Sequence, residues 1–135
     1  MARKRMFDME VVDTDLFLDM PQSTQNLYFH LGMRADDDGF VSNPKKIIRI
    51  IGANEDDLKI LITKKFIIPF ETGVIVIRHW KLNNYLRKDR YVETIYKEEK
   101  RRLVQDENGI YTIGIPDDNQ RYTQYRREQY RREQL

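Results

Sequence analysis

Cysteine is absent from this chain of 135 residues. Its absence excludes a disulfide framework, a thiolate metal site and a cysteine nucleophile, and it is compatible with a reducing cytoplasm. Long apolar runs are absent too, because the longest, such as Val74-Ile75-Val76-Ile77, reach only four or five residues. A membrane-spanning helix needs about 20. The start of the chain, "MARKRMFDMEVVD", has no apolar stretch of the signal-peptide kind. We therefore expect a cytoplasmic protein that does not associate with a membrane.

Recognisable catalytic motifs are missing as well. The chain has no Walker A loop, no glycine-rich dinucleotide loop after a strand, no HExxH pair and no nucleophile elbow. Its two histidines, His30 and His79, do not make a metal site. We therefore predict that the protein is not an enzyme and uses no cofactor or metal.

What the chain has in abundance is charge. Charged residues make up 34% of it and hydrophobic residues 40%, which predicts one modest core with a strongly charged periphery. The net charge of +2 conceals an uneven distribution, since residues 36–57 carry six acids and three bases, and residues 78–103 carry nine bases and four acids. A basic segment favours an anionic partner such as nucleic acid, although a solvated, salt-bridged surface would explain the same charges.

The first part of the chain is predicted to contain two helices. Asp13 or Thr14 caps a short helix that ends before Pro21. The second helix begins at Ser23, a favourable N-cap, and continues to about Arg34, with apolar residues at helical spacing.

Two further helices are predicted in close succession. Asn43-Pro44 combines a cap with proline at the first helical position, and the helix that follows ends at Gly52. Asn54 caps the next helix, over residues 55–65, whose first turn is acidic as the helix dipole favours. The side chains predicted to be buried on these two helices are Ile47, Ile50, Ile51, Leu58, Leu61 and Ile62.

Three aspartates and a glycine, Asp36-Asp37-Asp38-Gly39, lie between the second helix and the minimal strand Phe40-Val41. An EF-hand would need further ligands and a later glutamate, which "FVSNPKKIIRI" does not supply. A catalytic acid pair would need a partnered base, and none is apparent. Because Asp and Gly favour tight bends, we predict a turn. The three acids would repel phosphates, so we expect this corner of the domain to face away from DNA.

The runs "FIIPF" and "VIVIRHW" are rich in β-branched and aromatic residues, and only Glu71-Thr72-Gly73 separates them. This pattern predicts a β-hairpin, and Pro69 indicates that its first strand lies at a sheet edge. Two helices joined by "GANE" and followed by a hairpin are typical of a helix-turn-helix with a wing. We therefore predict an α+β fold, a winged helix-turn-helix with a three-helix core, a β-hairpin wing and a C-terminal helical extension.

The predicted winged-helix domain covers residues 6–91, and an extension of helix and small β-ribbon covers residues 92–115. "VETIYKEEKRRL" predicts a helix with Glu–Lys and Glu–Arg pairs four residues apart. Asn108-Gly109 favours a hairpin between "LVQ" and "IYTI".

Residues 116–135 are predicted to be a flexible charged tail. It repeats YRREQ at 125–129 and 130–134, and a period of five residues does not keep the tyrosines on one helical face. A linker or a nucleic-acid arm would be an alternative, but the net charge of this segment is only weakly positive.

Four motifs together resemble a known family. They are "LYFHLGMRADDDGFV", "NPKKI", "LIxKxFIIPF" over residues 61–70 and "IxHWxxNNYxRKDRY" over residues 77–91. Across about residues 6–103 the chain resembles the N-terminal domain of the phage replisome organizer family, winged-helix replication-initiation proteins of phages and prophages of Gram-positive bacteria that are related in architecture to DnaD-like primosome proteins. The resemblance implies a protein of the bacterial host cytoplasm that binds origin DNA and helps to recruit a helicase loader or helicase.

DNA contact is predicted on two parts of the chain. The second helix of a helix-turn-helix normally enters the major groove, but here its first turn is acidic and the wing carries Glu71. The stretch "RHWKLNNYLRKDRY" is the stronger candidate, because arginines bind phosphates and aromatic side chains stack on bases. The candidate DNA-binding residues are Lys45, Lys46, Lys59, Thr63, Lys64, Arg78, Lys81, Arg87, Lys88 and Arg90.

Several interpretations stay open. The lysines of the two helices are equally well explained as ordinary solvated side chains, and Trp80 is predicted to belong to the core. Asn83 and Asn84 would either contact base edges or cap a turn. Besides replication initiation, the chain is compatible with a winged-helix scaffold that self-associates and recruits replication proteins, or with a phage transcriptional regulator. The expected partners are double-stranded DNA, a helicase or helicase loader, and further copies of the chain.

Overall fold

The computed structural model describes residues 4–114, and the predicted tail at 116–135 lies outside the described residues. The order of elements is α1 (Met9–Val12), α2 (Asp15–Leu18), α3 (Gln22–Met33), β1 (Phe40–Val41), α4 (Pro44–Ile51), α5 (Glu55–Thr63), β2 (Ile67–Pro69), β3 (Ile75–Ile77), α6 (Trp80–Asn83), α7 (Lys97–Arg101), β4 (Leu103–Gln105) and β5 (Tyr111–Ile113). Helices and a small antiparallel sheet are mixed, so the predicted α+β class is confirmed. None of the helices in residues 4–114 combines the length and apolarity that crossing a bilayer requires.

Local sequence sets the ends of α2 and α4 as predicted. The Thr14 side chain caps α2 by accepting a hydrogen bond from the Phe17 N–H. The Asn43 side chain caps α4 in the same way, with Pro44 in the first turn. Gly52 ends α4 with φ of 75°, a left-handed conformation that glycine adopts without steric cost.

The start of α3 differs from the prediction. The helix begins at Gln22, directly after Pro21, and no side chain caps it. Ser23 lies inside the first turn, where its hydroxyl donates to Asp57 of α5 at 2.8 Å. The expected N-cap at Ser23 is therefore wrong, because the hydroxyl bonds across the helix interface.

A capping box begins α5 and joins it to α3. The Asn54 side chain accepts from the Asp57 N–H at 3.1 Å, and the Asp57 carboxylate accepts from the Asn54 N–H at 3.0 Å. Asp57 also accepts from the hydroxyls of Ser23 and Thr24. Burial acts to raise the pKa of the Asp57 carboxyl, but these hydrogen bonds prevail and lower it.

The three-stranded sheet has the order β1-β3-β2, with β3 antiparallel to both neighbours. Ile68 pairs with Val76 and Phe40 pairs with Val76 from the other side. The predicted hairpin and minimal strand are both present, and β2 is an edge strand with an exposed Pro69, as the sequence indicates.

The core forms where α3 packs against α4, α5 and the sheet. Leu27, Tyr28 and Leu31 of α3 are fully buried. On α4 the buried isoleucines are Ile47 and Ile48, whereas Ile50 is 59% exposed. The predicted buried face of α4 is thus wrong at Ile50, because the helix turns residues 47, 48 and 51 towards the core.

The predicted helix over residues 92–103 is confirmed only at Lys97–Arg101. Residues 92–96 are not helical, and Glu93 pairs with Lys100 at 3.1 Å instead of with Lys97. The β4–β5 ribbon is present, with Gly109 at φ of 81° in its loop. The ribbon packs on the core, since Tyr111 is 2% exposed.

Candidate nucleic-acid interface

The segment Asp36–Gly39, hereafter the acidic turn, is a tight turn as predicted. One carboxylate oxygen of Asp36 accepts from the N–H groups of Asp38 and Phe40 at 3.0 and 2.9 Å. Gly39 adopts φ of 92°, and a Cβ there would lie 2.6 Å from the ring of Trp80. The turn therefore needs glycine both for its conformation and for its close approach to the indole.

The other two carboxylates of the acidic turn are buried. Asp37 is ion-paired with Arg5 at 3.1 Å, with 1% and 2% of the two side chains exposed. Its second oxygen accepts from the Val92 N–H at 3.0 Å. The Arg5 guanidinium also lies over the Trp80 ring, 5.1 Å from the centroid. Arg5, part of the basic N-terminus, is therefore occupied within the protein.

Asp38 holds more partners than any neighbouring acid. Its fully buried carboxylate accepts from the Tyr91 hydroxyl at 2.7 Å and from the Thr94 N–H at 2.8 Å. Lys100 and Lys81 lie 3.5 and 3.8 Å away. Burial raises the pKa of the Tyr91 hydroxyl, with the negative charge of Asp38 acting in the same direction. Burial acts to lower the pKa of Lys100, but hydrogen bonds to Tyr91 and Glu93 and the charge of Asp38 raise it.

These contacts overturn the expectation that the acidic turn repels phosphate. The charges of Asp37 and Asp38 are compensated inside the protein by Arg5, Lys81 and Lys100, and the half-buried Asp36 accepts hydrogen bonds within the turn. A buried carboxylate that is already paired contributes little repulsion at the surface. The expected repulsion is therefore wrong for Asp37 and Asp38, and these two residues give no reason to direct this corner of the domain away from DNA.

Residues 85–90, hereafter the basic loop, lie between α6 and Tyr91. Arg87, Lys88 and Arg90 are exposed, and the one acid, Asp89, pairs with Arg87 at 3.1 Å on the surface. Tyr85 is 81% exposed. The acidic turn anchors the chain on both sides of the loop, through Lys81 before it and Tyr91 after it. The loop therefore presents three cations to solvent from a fixed base.

The candidate residues on α4 and α5 are also exposed. Lys45 and Lys46 lie at the start of α4, and Lys59, Thr63 and Lys64 follow one another along α5 and its C-terminus. The first turn of α5 exposes Glu55 and Asp56, whereas Asp57 is turned inwards. Two exposed acids thus precede the cations on the helix that would enter a major groove.

The candidate DNA-binding residues that follow the hairpin in the chain do not all lie in one place. Lys81 and Lys88 line one cleft of about 640 Å³. Arg78 lines a different groove of about 290 Å³, beside β2 and β5. Arg78 therefore lines a different depression from Lys81 and Lys88, although all three belong to the segment "RHWKLNNYLRKDRY".

Trp80 is 1% exposed, which agrees with its predicted place in the core. Its indole N–H donates to the Asp37 carbonyl at 2.9 Å. This hydrogen bond fixes the indole against the acidic turn.

Asn83 and Asn84 are buried, and both side chains are engaged with the N-terminal segment. Asn83 accepts from the Asp8 N–H at 2.8 Å and donates to the Tyr28 hydroxyl at 2.9 Å. Asn84 accepts from the Met6 N–H at 2.8 Å. Both asparagines hold the N-terminal segment. Met6 and Asp8 lie 78 and 75 residues away from these asparagines in the chain, so no local signal in the sequence indicates this role.

His79 is half-buried beside Phe66, and its Nδ1 has no hydrogen-bond partner within residues 4–114. Burial, together with the charge of Arg78, lowers its pKa to about 4. Within the same residues, no three His, Asp or Glu side chains are grouped so that they could hold a metal ion.

Comparisons of the chain with models of protein families, with curated proteins and with solved structures give no match.

Proposed function

We propose that the protein is a DNA-replication initiation protein of phage or prophage origin, which binds duplex DNA without catalysis and recruits a helicase loader or helicase. The observation that carries the proposal is the basic loop. Its three exposed cations extend from a base that the acidic turn anchors, and only one surface acid lies among them. Phosphate contacts of this kind supply most of the affinity of non-specific DNA binding.

We further propose that residues 6–91 form a winged helix-turn-helix. Several features support this assignment: the succession of α3, α4 and α5, the hairpin of β2 and β3, and the β1-β3-β2 order of the sheet. In this arrangement α5 would be the recognition helix. Its exposed Glu55 and Asp56 disfavour deep entry of its first turn between phosphates, so the basic loop would carry the main contact.

Fluorescence anisotropy with labelled duplex DNA at low salt tests the proposal. We expect the wild-type chain to bind, and the triple variant Arg87→Ala, Lys88→Ala, Arg90→Ala to bind about 10-fold more weakly or worse. A charge-matched variant, Arg34→Ala, Lys97→Ala, Arg101→Ala, removes three other exposed cations and should retain wild-type affinity. Equal losses in the two variants would contradict a specific role for the basic loop.

A second function, a scaffold that self-associates and assembles replication proteins, is favoured by one observation. The N-terminal segment and the first helices expose several large apolar side chains. They are Met6, Met9, Leu16, Leu18 and Met33, each between 48% and 67% exposed. Sedimentation velocity distinguishes this function. Association that depends on concentration and is lost in Leu16→Glu, Leu18→Glu, together with absent DNA binding, would favour the scaffold over the DNA-binding protein.

A further inference from the structure

A hydrogen-bond donor that the protein does not use is buried in the wall of the cleft beside the basic loop. Asn84 is 6% exposed and lines the cleft. The Met6 N–H occupies its Oδ1 at 2.8 Å, which fixes the orientation of the side-chain amide. Its Nδ2 finds no acceptor among residues 4–114. A buried amide N–H without an acceptor is costly, and in native structures such a group calls for a functional or solvent explanation.

The remaining lining of the cleft includes aromatic and basic side chains, together with Leu86 and Gln105. Trp80, Tyr85 and Tyr91 contribute rings, and Lys81 and Lys88 contribute ammonium groups. The one carboxylate in the lining is Asp37, which is already paired with Arg5. The volume of about 640 Å³ lies in the range of small-molecule sites, which bury one ring system and orient it by a few polar groups.

We infer that this cleft binds one unpaired nucleotide of a single DNA strand. The base would stack on the exposed ring of Tyr85, and Lys81 and Lys88 would contact the phosphates. The Asn84 Nδ2 is buried beneath the lining, so neighbouring side chains would move aside for it to donate to a carbonyl oxygen of the base. The inference deepens the proposed function and rests on it for the nature of the partner. It adds a preference for unpaired strand, and for bases that carry a carbonyl oxygen.

The chemistry of the lining favours a nucleotide over other anions. A free phosphate would engage the lysines and leave the exposed ring of Tyr85 without a role. Base stacking on aromatic side chains is a recurrent means of holding single strands, and every base offers a face for it. Thymine presents carbonyl oxygens to a donor such as Nδ2, and adenine presents none.

The test measures binding of fluorescein-labelled oligo(dT) and oligo(dA) of one length, and of a labelled duplex, to the whole chain. Tyr85→Ala is the main variant, because the side chain is 81% exposed and its removal should not disturb folding. We expect Tyr85→Ala to bind oligo(dT) about 10-fold more weakly. Tyr85→Phe, which keeps the ring, should bind like the wild type. Lys97→Ala, an exposed lysine outside the cleft, serves as the control.

Asn84→Asp tests the donor itself. It retains the acceptor for the Met6 N–H and replaces the two unused N–H donors by an acceptor. We expect the wild type to prefer oligo(dT) over oligo(dA), and the ratio of the two affinities to fall in Asn84→Asp. Comparing this ratio between the two proteins also cancels the difference in base stacking between free oligo(dT) and free oligo(dA). The free oligonucleotides are the same in both measurements.

The outcomes separate this inference from the proposed function. Duplex binding together with oligo(dT) binding that is unchanged in Tyr85→Ala would overturn the cleft and leave the proposed function standing. Oligo(dT) binding that needs Tyr85, without duplex binding, would support the cleft and overturn duplex recognition. An unchanged dT-to-dA ratio in Asn84→Asp would overturn the role of Asn84. Absence of binding to every DNA would overturn both proposals.

Discussion

At the scale of single residues, Asp38 links parts of the chain that are distant in sequence. Its side chain holds Tyr91, Thr94 and two lysines, and its carbonyl accepts from the Tyr111 hydroxyl at 3.0 Å. A buried carboxylate is stable only when charges and hydrogen bonds replace its lost hydration. Asp38 has both charged partners and hydrogen bonds, so the segments that contain Tyr91, Thr94, Lys100 and Tyr111 depend on it for their positions.

Asp38→Ala should therefore destabilise the protein strongly. The change leaves Lys100, Tyr91 and the Thr94 N–H without their shared partner, and breaking a buried ion pair typically costs about 3 to 5 kcal/mol. Because both lysines are about one-third exposed, we expect the lower end, about 3 kcal/mol. Urea denaturation gives the value. Asp89→Ala, which removes an exposed ion-paired aspartate, should cost less than about 0.5 kcal/mol. Similar costs for the two variants would contradict the assigned role of Asp38.

His79 should make the stability depend on pH. Its pKa is about 4 in the folded protein and 6.5 in the unfolded chain. Above pH 6.5 both states are neutral. As the pH falls from 6.5 to 4, only the unfolded state gains the proton, so stability is lost over that interval. Urea denaturation across this range should show a shallower decline in His79→Gln than in the wild type. A constant difference between the two proteins would show that His79 titrates alike in both states.

At the scale of elements, the sequence predicts α2, α4, α5 and the hairpin well because their signals are local, whereas it does not predict the short helices α1 and α6. Caps at Thr14, Asn43 and Asn54 and the left-handed Gly52 all act within one turn. Residues 92–96 show the limit of such signals. The N–H groups of Val92 and Thr94 donate to Asp37 and Asp38, so long-range contacts replace the helical hydrogen bonds that the local pattern predicts.

The difference between local and long-range signals applies to the candidate site as well. Exposed cations such as Arg87 and Lys88 could be predicted from composition, since charged side chains are normally at the surface. The burial of Asp37 and Asp38, and of Asn83 and Asn84, could not. Their partners include Arg5, Met6 and Asp8 at the other end of the chain. Only the folded topology brings these groups together.

The capping box of α5 should contribute measurably to stability. Asn54→Ala removes the acceptor of the Asp57 N–H, and loss of an N-cap costs about 1 kcal/mol. Asn26→Ala, at an exposed position inside α3, is the matched control and should be neutral or slightly stabilising because alanine favours helix. Thermal denaturation of both variants gives the comparison. A cost of Asn54→Ala no larger than that of the control would show that α5 does not depend on its cap.

At the scale of the whole molecule, the acids and bases have different roles. Asp37 and Asp38 of the acidic turn are buried and hold the N-terminal segment, the base of the basic loop and the β-ribbon together. The cations of the basic loop remain at the surface. The small net charge of +2 therefore understates the positive charge that the protein presents beside the cleft.

The central claim, that the basic loop contacts DNA phosphates, is tested most directly by the salt dependence of duplex binding. The slope of log K against log salt concentration reports the number of phosphates neutralised, at about 0.9 per contact. We predict that the variant Arg87→Ala, Lys88→Ala, Arg90→Ala has a slope shallower by about 2 to 3 than the wild type. The charge-matched variant at residues 34, 97 and 101 should keep the wild-type slope. Equal slopes for the wild type and the basic-loop variant, or no binding by the wild type at low salt, would contradict the claim.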